Sequence, residues 1–359
     1  MAKLGVSFAD GSAAMPVVAN DGIGLAQTKV GEATCCSSSL WGSRLGDYWA
    51  DNVDRNDMMF EPFTRPLLQA ARIGPGDHVI DIGCGSGSTT REAARIAWPA
   101  PVVGIDISAS ILKVAESLAE SNMVPNARFV WADAQKYRFQ PRMADVVISR
   151  FGTMFFDDPL AAFSNIASAM RPGGRLAFLC WRKLSGQQVV ALPLYLLATL
   201  APSMMAGGAA GGPYSLANPL RTKRMLAAAG FSAPTLTPIE APLLLGKDAG
   251  DVMSFYLGQP AVQACLSGLS PAGLSTLPEA LSSLRMSLEA HETPRGVVMN
   301  APAWLATAVR SERSVSGPLQ SVVGRASEYS APQSLRADRA PGESVPRCGA
   351  TPLPPGRRW

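Results

Sequence analysis

The sequence contains few of the residues that metal sites and disulfide frameworks need. Its 359 residues include only two histidines, His78 and His291, and six cysteines, none of which are spaced as Cys-x-x-Cys. Structural zinc sites usually combine such cysteine pairs with further cysteine or histidine. The sequence therefore predicts no metal site, and it favours reduced thiols in a cytoplasmic protein.

The chain also lacks a strong excess of charge of either sign. Lysine and arginine together number 32 against 28 acidic residues, which leaves a formal charge of +4 at pH 7. Domains that bind nucleic acid usually show a pronounced basic surplus, because they must neutralise phosphates. A nucleic-acid partner is therefore not expected.

Long apolar runs are missing as well. Residues 184–220 carry no charge, but they include four prolines, and their best apolar piece, residues 189–200, is short. A membrane-spanning helix needs about 20 apolar residues. No continuous apolar segment follows the first residues either, so neither a membrane span nor a signal peptide is expected.

Residues 78–88 are the most informative stretch of the chain. Residues 79–82 form a short, mostly apolar run that is typical of a buried parallel strand. Ser88 and Thr89 are expected to cap a helix over residues 89–98. Between strand and helix, glycines stand at alternate positions: Gly83, Gly85 and Gly87. A strand, a glycine turn and a helix predict a nucleotide site at the carboxyl edge of a parallel sheet.

The glycine spacing identifies the kind of nucleotide site. The dinucleotide-binding fingerprint needs a further glycine where this chain has Ser88. Gly-x-Gly-x-Gly, with Asp81 two residues before its first glycine, resembles the first motif of the class I S-adenosylmethionine methyltransferases. The resemblance implies that Asp81 contacts the methionine part of the cofactor. It implies the same for the loop that follows, namely Gly83, Cys84, Gly85, Ser86 and Gly87.

Two further acids end predicted strands. Residues 101–106 form a second predicted strand, which ends at Asp106, where a carboxylate can accept hydrogen bonds from both ribose hydroxyls. A third predicted strand begins at residue 127 and leads into Asp133. The resemblance implies that Asp133 accepts from the adenine amino group and that the N–H of Ala134 faces a ring nitrogen.

Other residues are assigned by their place beside these motifs. Ile107 follows the second strand and Arg150 follows the fourth, so both are expected to line the cofactor site. An aromatic region over residues 48–63 predicts a leading helix, which in the resembling family lies over the cofactor. Helix caps are expected at Ser108, Asp158 and Asn218.

The regular alternation of strands and helices predicts the fold. Further strands are expected at residues 145–149, 176–181, 233–239 and 304–308. The fold class is α/β, a Rossmann-like seven-stranded methyltransferase sheet of six parallel strands with the last strand antiparallel. The predicted organisation is a flexible extension over 1–39, a methyltransferase domain over 40–310 with helical inserts near 184–217 and 248–295, and a disordered tail over 311–359.

The resemblance is closest to small-molecule methyltransferases of the ubiquinone and menaquinone biosynthesis type. It implies S-adenosyl-L-methionine as cofactor and in-line methyl transfer to a small, apolar or aromatic acceptor. A protein that binds the cofactor without turnover and an NAD-type dehydrogenase remain as alternatives. The sequence Ser149-Arg150-Phe151 departs from the Asn- or Asp-Pro-Pro-aromatic motif of DNA adenine methyltransferases.

The sequence does not identify a catalytic base. His78 starts the first strand, at the edge opposite the site, and His291 lies in the second insert. The acceptor atom and the oligomeric state also stay open. Apolar residues of the two inserts are interpreted as core rather than as an acceptor pocket: Met204, Met205, Met253, Phe255 and Tyr256.

Overall fold

The computed structural model describes residues 41–182 and 212–312, which contain one eight-stranded sheet. The predicted N-terminal extension, most of the first insert and nearly all of the tail lie outside the described residues. The strands are β1 (Val79–Ile82), β2 (Val102–Asp106), β3 (Ala127–Trp131), β4 (Ala144–Arg150), β5 (Met170–Trp181), β6 (Phe231–Gly246), β7 (Glu292–Thr293) and β8 (Gly296–Arg310).

The strand order agrees with the predicted fold class. The strands lie side by side in the order β3-β2-β1-β4-β5-β8-β6, and the two-residue β7 pairs with β8. Neighbours from β3 to β5 are parallel, whereas β8 is antiparallel to both β5 and β6. Six parallel strands with an antiparallel last strand are confirmed, and β7 is an eighth strand that the sequence did not predict.

Nine α-helices connect or cover the described strands. They are α1 (Arg44–Asp51), α2 (Val53–Ala71), α3 (Ser88–Ala97), α4 (Ala109–Ser121), α5 (Pro159–Ala169), α6 (Pro219–Ala228), α7 (Ala249–Gly258), α8 (Pro260–Ser267) and α9 (Pro271–Glu289). Within the described residues, no helix has both the length and the apolar character that crossing a lipid bilayer requires.

Five of the described helices begin directly after a residue whose side chain caps the first turn, namely Ser108, Asp158, Asn218, Asp248 and Ser270. The predicted caps are confirmed, because Ser108, Asp158 and Asn218 each accept a hydrogen bond from the N–H three residues on. The expected cap of α3 is wrong. That helix begins at Ser88 itself, and its N-cap is Gly87, with φ at +73° and no side-chain bond.

Two strands are longer than the sequence indicated. β6 covers 16 residues and β8 covers 15, against the predicted ranges 233–239 and 304–308. They form a long antiparallel pair from Phe231↔Arg310 to Gly246↔Val297. β5 also begins at Met170 rather than at residue 176, because Met170 pairs with Ala144 before the Arg171–Arg175 turn.

The core lies between the sheet and the helices. All four residues of β1 are buried, and the largest fully buried side chains include Phe63 of α2, Phe163 of α5 and Phe178 of β5. Phe163 and Phe178 pack with their ring centroids 5.3 Å apart. Phe255 and Tyr256 of α7 are buried in the same core, as interpreted from the sequence. Because β1 is buried on both faces by side chains, a site beside it can form only at the edge where the strands end.

Candidate active site

A cavity of about 260 Å³ lies at the carboxyl edge of the sheet, where β1, β2 and β4 end. Ten of the predicted site residues line it: Asp81, Gly83, Cys84, Gly85, Ser86, Asp106, Ile107, Asp133, Ala134 and Arg150. Gly87 does not line the cavity. It is the N-cap of α3 instead, and an added Cβ there would lie 2.6 Å from the ring of Phe129.

The glycine loop is held tightly against its neighbours. The N–H groups of Gly83 and Cys84 both donate to the carbonyl oxygen of Ile105, at 2.8 and 3.1 Å. Gly83 has φ at +66°, and a Cβ there would lie 2.7 Å from the Cα of Gly152. A side chain at this position would collide with backbone, so the close approach of two loops requires glycine.

Asp81 is a buried carboxyl group under the loop. One of its oxygens, Oδ2, accepts a hydrogen bond from the hydroxyl of Thr90 at 2.7 Å. The other, Oδ1, is buried and has no hydrogen-bond partner. Burial raises the pKa of Asp81 to about 7, although the Thr90 hydroxyl and the Arg150 charge oppose this.

Asp106 supports the glycine loop from the end of β2. Its Oδ2 accepts from the N–H of Gly85 and its Oδ1 accepts from the N–H of Ser108, both at 2.9 Å. Burial raises the pKa of Asp106, and these backbone donors partly offset the effect. Each carboxylate oxygen can accept more than one bond, so a ribose contact remains compatible with this arrangement.

Asp133 lines the cavity from the loop that follows β3. Its Oδ1 accepts from the N–H of Gln135 at 2.9 Å, and its Oδ2 lies 3.0 Å from Nζ of the exposed Lys136. The adjoining Ala134 is buried. The carboxylate is therefore fixed in the loop that follows β3, at the position that the resemblance implies for an adenine contact.

The predicted leading helix region supplies cavity residues that were not among the predicted site residues. Asn56, Asp57 and Phe60 of α2 line the cavity, together with Trp41 and Trp49. Asp57 accepts a 2.6 Å hydrogen bond from the Ser86 hydroxyl of the glycine loop. Asn56 and Phe60 stand four residues apart on one face of α2, and this spacing could have identified them as neighbours.

Aromatic rings form an apolar wall of the cavity. Trp41 packs edge-on against both Trp49 and Phe155, with centroid distances of 5.3 and 5.0 Å. Trp49 stacks on Phe60, and Trp181 of β5 lines the cavity behind them. Such a wall excludes water and suits an apolar or planar ligand.

Three buried polar atoms of the cavity residues have no hydrogen-bond partner: Trp41 Nε1, Asn56 Oδ1 and Asp81 Oδ1. Buried polar groups are normally paired, so these atoms are suited to a ligand that has both donors and acceptors. Among the described lining residues there are four carboxyl groups and a single cation, Arg150. This donor set and charge fit S-adenosylmethionine, which carries an ammonium, a carboxylate, hydroxyls and a positive sulfonium.

The two histidines lie elsewhere. His78 precedes β1, at the opposite edge of the sheet, with its Nδ1 3.4 Å from Oδ2 of Asp145. His291 lies beside the carbonyl oxygen of Ser287, at 2.8 Å. Neither histidine is among the described residues that line the cavity.

Comparison with known proteins agrees with this geometry. Residues 79–174 match the family model described as "Methyltransferase domain". The chain is 38% identical over 145 residues to the ubiquinone/menaquinone biosynthesis C-methyltransferase UbiE of Stutzerimonas stutzeri, an alignment that covers 40% of this chain and 54% of that protein.

Other relatives show the breadth of the family. Aklanonic acid methyltransferase DauC of Streptomyces sp. strain C5 is 31% identical over 33% of this chain and 54% of its own length. An O-methyltransferase of Pyrenophora dematioidea is 31% identical over 36% of this chain and 50% of its own. The chain spans about half the length of the curated relatives it matches.

The matched residues 79–174, which include the glycine loop and the strand-end acids, are therefore similar in sequence to the class I S-adenosylmethionine-dependent methyltransferases. The cofactor of these enzymes is S-adenosyl-L-methionine.

Proposed function

We propose that the protein transfers a methyl group from S-adenosylmethionine to a small apolar or aromatic molecule. The main support for this proposal is the set of residues that lines one cavity. The glycine loop and the strand-end acids Asp106 and Asp133 form one part of it, and the aromatic rings around Trp41 form another. The cavity thus combines groups suited to a nucleoside with a dry wall suited to an acceptor.

In this proposal, different residues at the edge of the sheet bind different parts of the cofactor. Asp81 and the loop from Gly83 to Ser86 hold the methionine part, and Asp106 binds the ribose. Asp133 accepts from the adenine amino group, with the N–H of Ala134 facing the ring. The hydrogen bonds that fix Asp106 and Asp133 support these roles, because both carboxylates are oriented before any ligand binds.

The cofactor supplies an activated methyl group on a sulfonium, and the remaining tasks are positional. The side chains of Trp41, Trp49 and Phe60 would hold an acceptor in line with the sulfur and keep water out. The proposed reaction uses no histidine base, since both histidines lie away from the described cavity lining.

The proposal names a class of substrate and does not specify which atom of the acceptor is methylated. The names of similar proteins include a C-methyltransferase and an O-methyltransferase, so likeness alone favours neither. We also propose a cytoplasmic location, which is supported by two free and buried thiols, Cys84 and Cys180.

Calorimetric titration with S-adenosylmethionine and with NADH tests the proposed cofactor. We expect micromolar binding of S-adenosylmethionine, no signal with NADH, and at least tenfold weaker binding in Asp133→Ala, which loses the adenine contact. Methyl-labelled cofactor and a panel of small aromatic acceptors then test turnover. Cofactor binding without any labelled product would favour a binding protein without turnover, and NADH binding alone would favour a dehydrogenase.

A further inference from the structure

Asp57 occupies a central place between the leading helix and the glycine loop. It lies in the second turn of α2, lines the cavity, and has a side chain that is 25% exposed. Its Oδ1 accepts a 2.6 Å hydrogen bond from Ser86. The carboxylate is therefore directed at the part of the cavity that is formed by the glycine loop.

Two arginines face this carboxylate without donating a hydrogen bond to it. Nη2 of Arg150 lies 3.6 Å from Oδ1, and Nη2 of Arg91 lies 3.9 Å from Oδ2. Each guanidinium uses its Nη1 elsewhere, Arg150 on the hydroxyl of Thr64 and Arg91 on the carbonyl oxygen of Ser86. Two nearly buried cations thus share one carboxylate at long distance, which leaves Arg150 able to bind another anion.

Acceptors for a cation lie in the same cavity. Asn56, the neighbour of Asp57 on α2, is 4% exposed, and its Oδ1 is buried without a hydrogen-bond partner. Oδ1 of Asp81 is likewise buried and has no hydrogen-bond partner. An ammonium group has three donors and needs such oxygens around it.

We propose that Asp57, together with Asn56, binds the ammonium of the cofactor's amino-acid part while Arg150 binds its carboxylate. The site then selects nucleosides that carry an intact amino acid, and α2 rather than the glycine loop alone determines that selection. This inference rests on the proposed function, since it assigns residues to the same cofactor. Its rival is that Asp57 only ties α2 to the loop through Ser86.

A pair of ligands separates the two explanations. S-adenosylhomocysteine carries the amino acid, and 5′-methylthioadenosine is the same nucleoside thioether without it. Calorimetry on the full chain should show Asp57→Asn weakening S-adenosylhomocysteine at least tenfold, because a charge-assisted bond is lost. The variant's affinity for 5′-methylthioadenosine should stay within twofold of the wild type, and this binding also shows that the site has folded.

Two further variants complete the experiment. Asp54→Asn removes an exposed carboxylate from the first turn of the same helix and should change neither affinity. Asp57→Glu keeps the charge and should recover part of the preference for S-adenosylhomocysteine.

The unfavourable outcomes are distinct from each other. Equal loss of both ligands in Asp57→Asn, or no loss of either, would overturn the amino-acid role while the proposed function stands. A folded wild-type protein that binds neither ligand would overturn the proposed function, and the inference with it.

Discussion

Gly83 illustrates at the scale of one residue how little room the glycine loop leaves for a side chain. Its φ of +66° is uncommon for any residue with a Cβ, and a Cβ there would lie 2.7 Å from the Cα of Gly152. Gly173 offers a comparison, since its φ is +77° but no atom lies within 4 Å of an added Cβ. The two glycines have similar backbone conformations, but only Gly83 is crowded by neighbouring atoms.

Replacing each glycine by alanine should separate the energetic cost of the backbone conformation from that of a steric clash. Gly173→Ala should lower the free energy of unfolding by about 1–2 kcal/mol, the cost of a left-handed backbone for an L-residue. Gly83→Ala adds a clash with backbone that cannot rotate away, so we expect a loss at least about 2 kcal/mol larger. Urea unfolding of both variants measures the difference, and equal losses would contradict the close approach of the two loops.

At the scale of elements, the leading helices are held from outside the cavity by α7 and by the end of β6. Arg55 donates through Nε to the carbonyl oxygen of Leu245 at 2.9 Å and pairs with Asp251 at 3.1 Å. Its guanidinium also lies 4.2 Å from the ring centroid of Phe255, and Tyr48 donates to the carbonyl oxygen of Phe255 at 2.6 Å. α7, which lies in the second insert, and the end of β6 therefore support the helices that line the cavity.

Arg55→Ala should loosen these helices selectively. Loss of charge-assisted bonds of about 1.5–3 kcal/mol should raise amide hydrogen exchange over residues 44–57 by tenfold or more. Exchange in α5, which lies elsewhere, should change by less than twofold. Arg65→Ala, an exposed change on the same helix, should leave both regions as in the wild type. Uniform acceleration in Arg55→Ala would instead indicate a general loss of stability.

Elements with local signals could be predicted from the sequence, whereas those fixed by tertiary contacts could not. β1, the glycine loop and the caps of α4, α5 and α6 depend on neighbouring residues. β6 was underestimated because its prolines interrupt a strand pattern. They are tolerated since β6 is the last strand in the sheet order and pairs only with β8 among the described strands.

The candidate site also contains some residues with a local sequence signal and others that only tertiary packing brings together. Asp106 and Asp133 could be predicted as cavity residues because one ends and the other follows an apolar strand, and Asp81 because it stands two residues before the first glycine of the loop. Asp57 could not, because it is 29 residues before Ser86 in sequence and only the packing of α2 brings the two together.

For the molecule as a whole, a buried carboxyl group links folding to pH. The pKa of Asp81 is raised by burial to about 7, whereas an unfolded aspartate titrates near 3.9. The folded state therefore binds more protons than the unfolded state between these pH values. Stability from this group is fully present below about pH 4, falls as pH rises towards 7, and changes little above that.

Asp81→Asn removes this ionisation while keeping an oxygen for the Thr90 hydroxyl. We expect the wild type to lose stability relative to the variant between pH 4 and 7, by up to about 4 kcal/mol for a shift of three pKa units. Urea unfolding at four pH values across this range measures the difference. Parallel curves would contradict the shift.

The interior position of β8 has a consequence for synthesis. β8 is made after every other described strand, yet it lies between β5 and β6. Until residues 296–310 leave the ribosome, each of those two strands presents an open edge on the side that β8 will occupy, and open edges invite pairing with other chains. A nascent chain interrupted before Gly296 should therefore become a substrate for chaperones and aggregation rather than a smaller working enzyme.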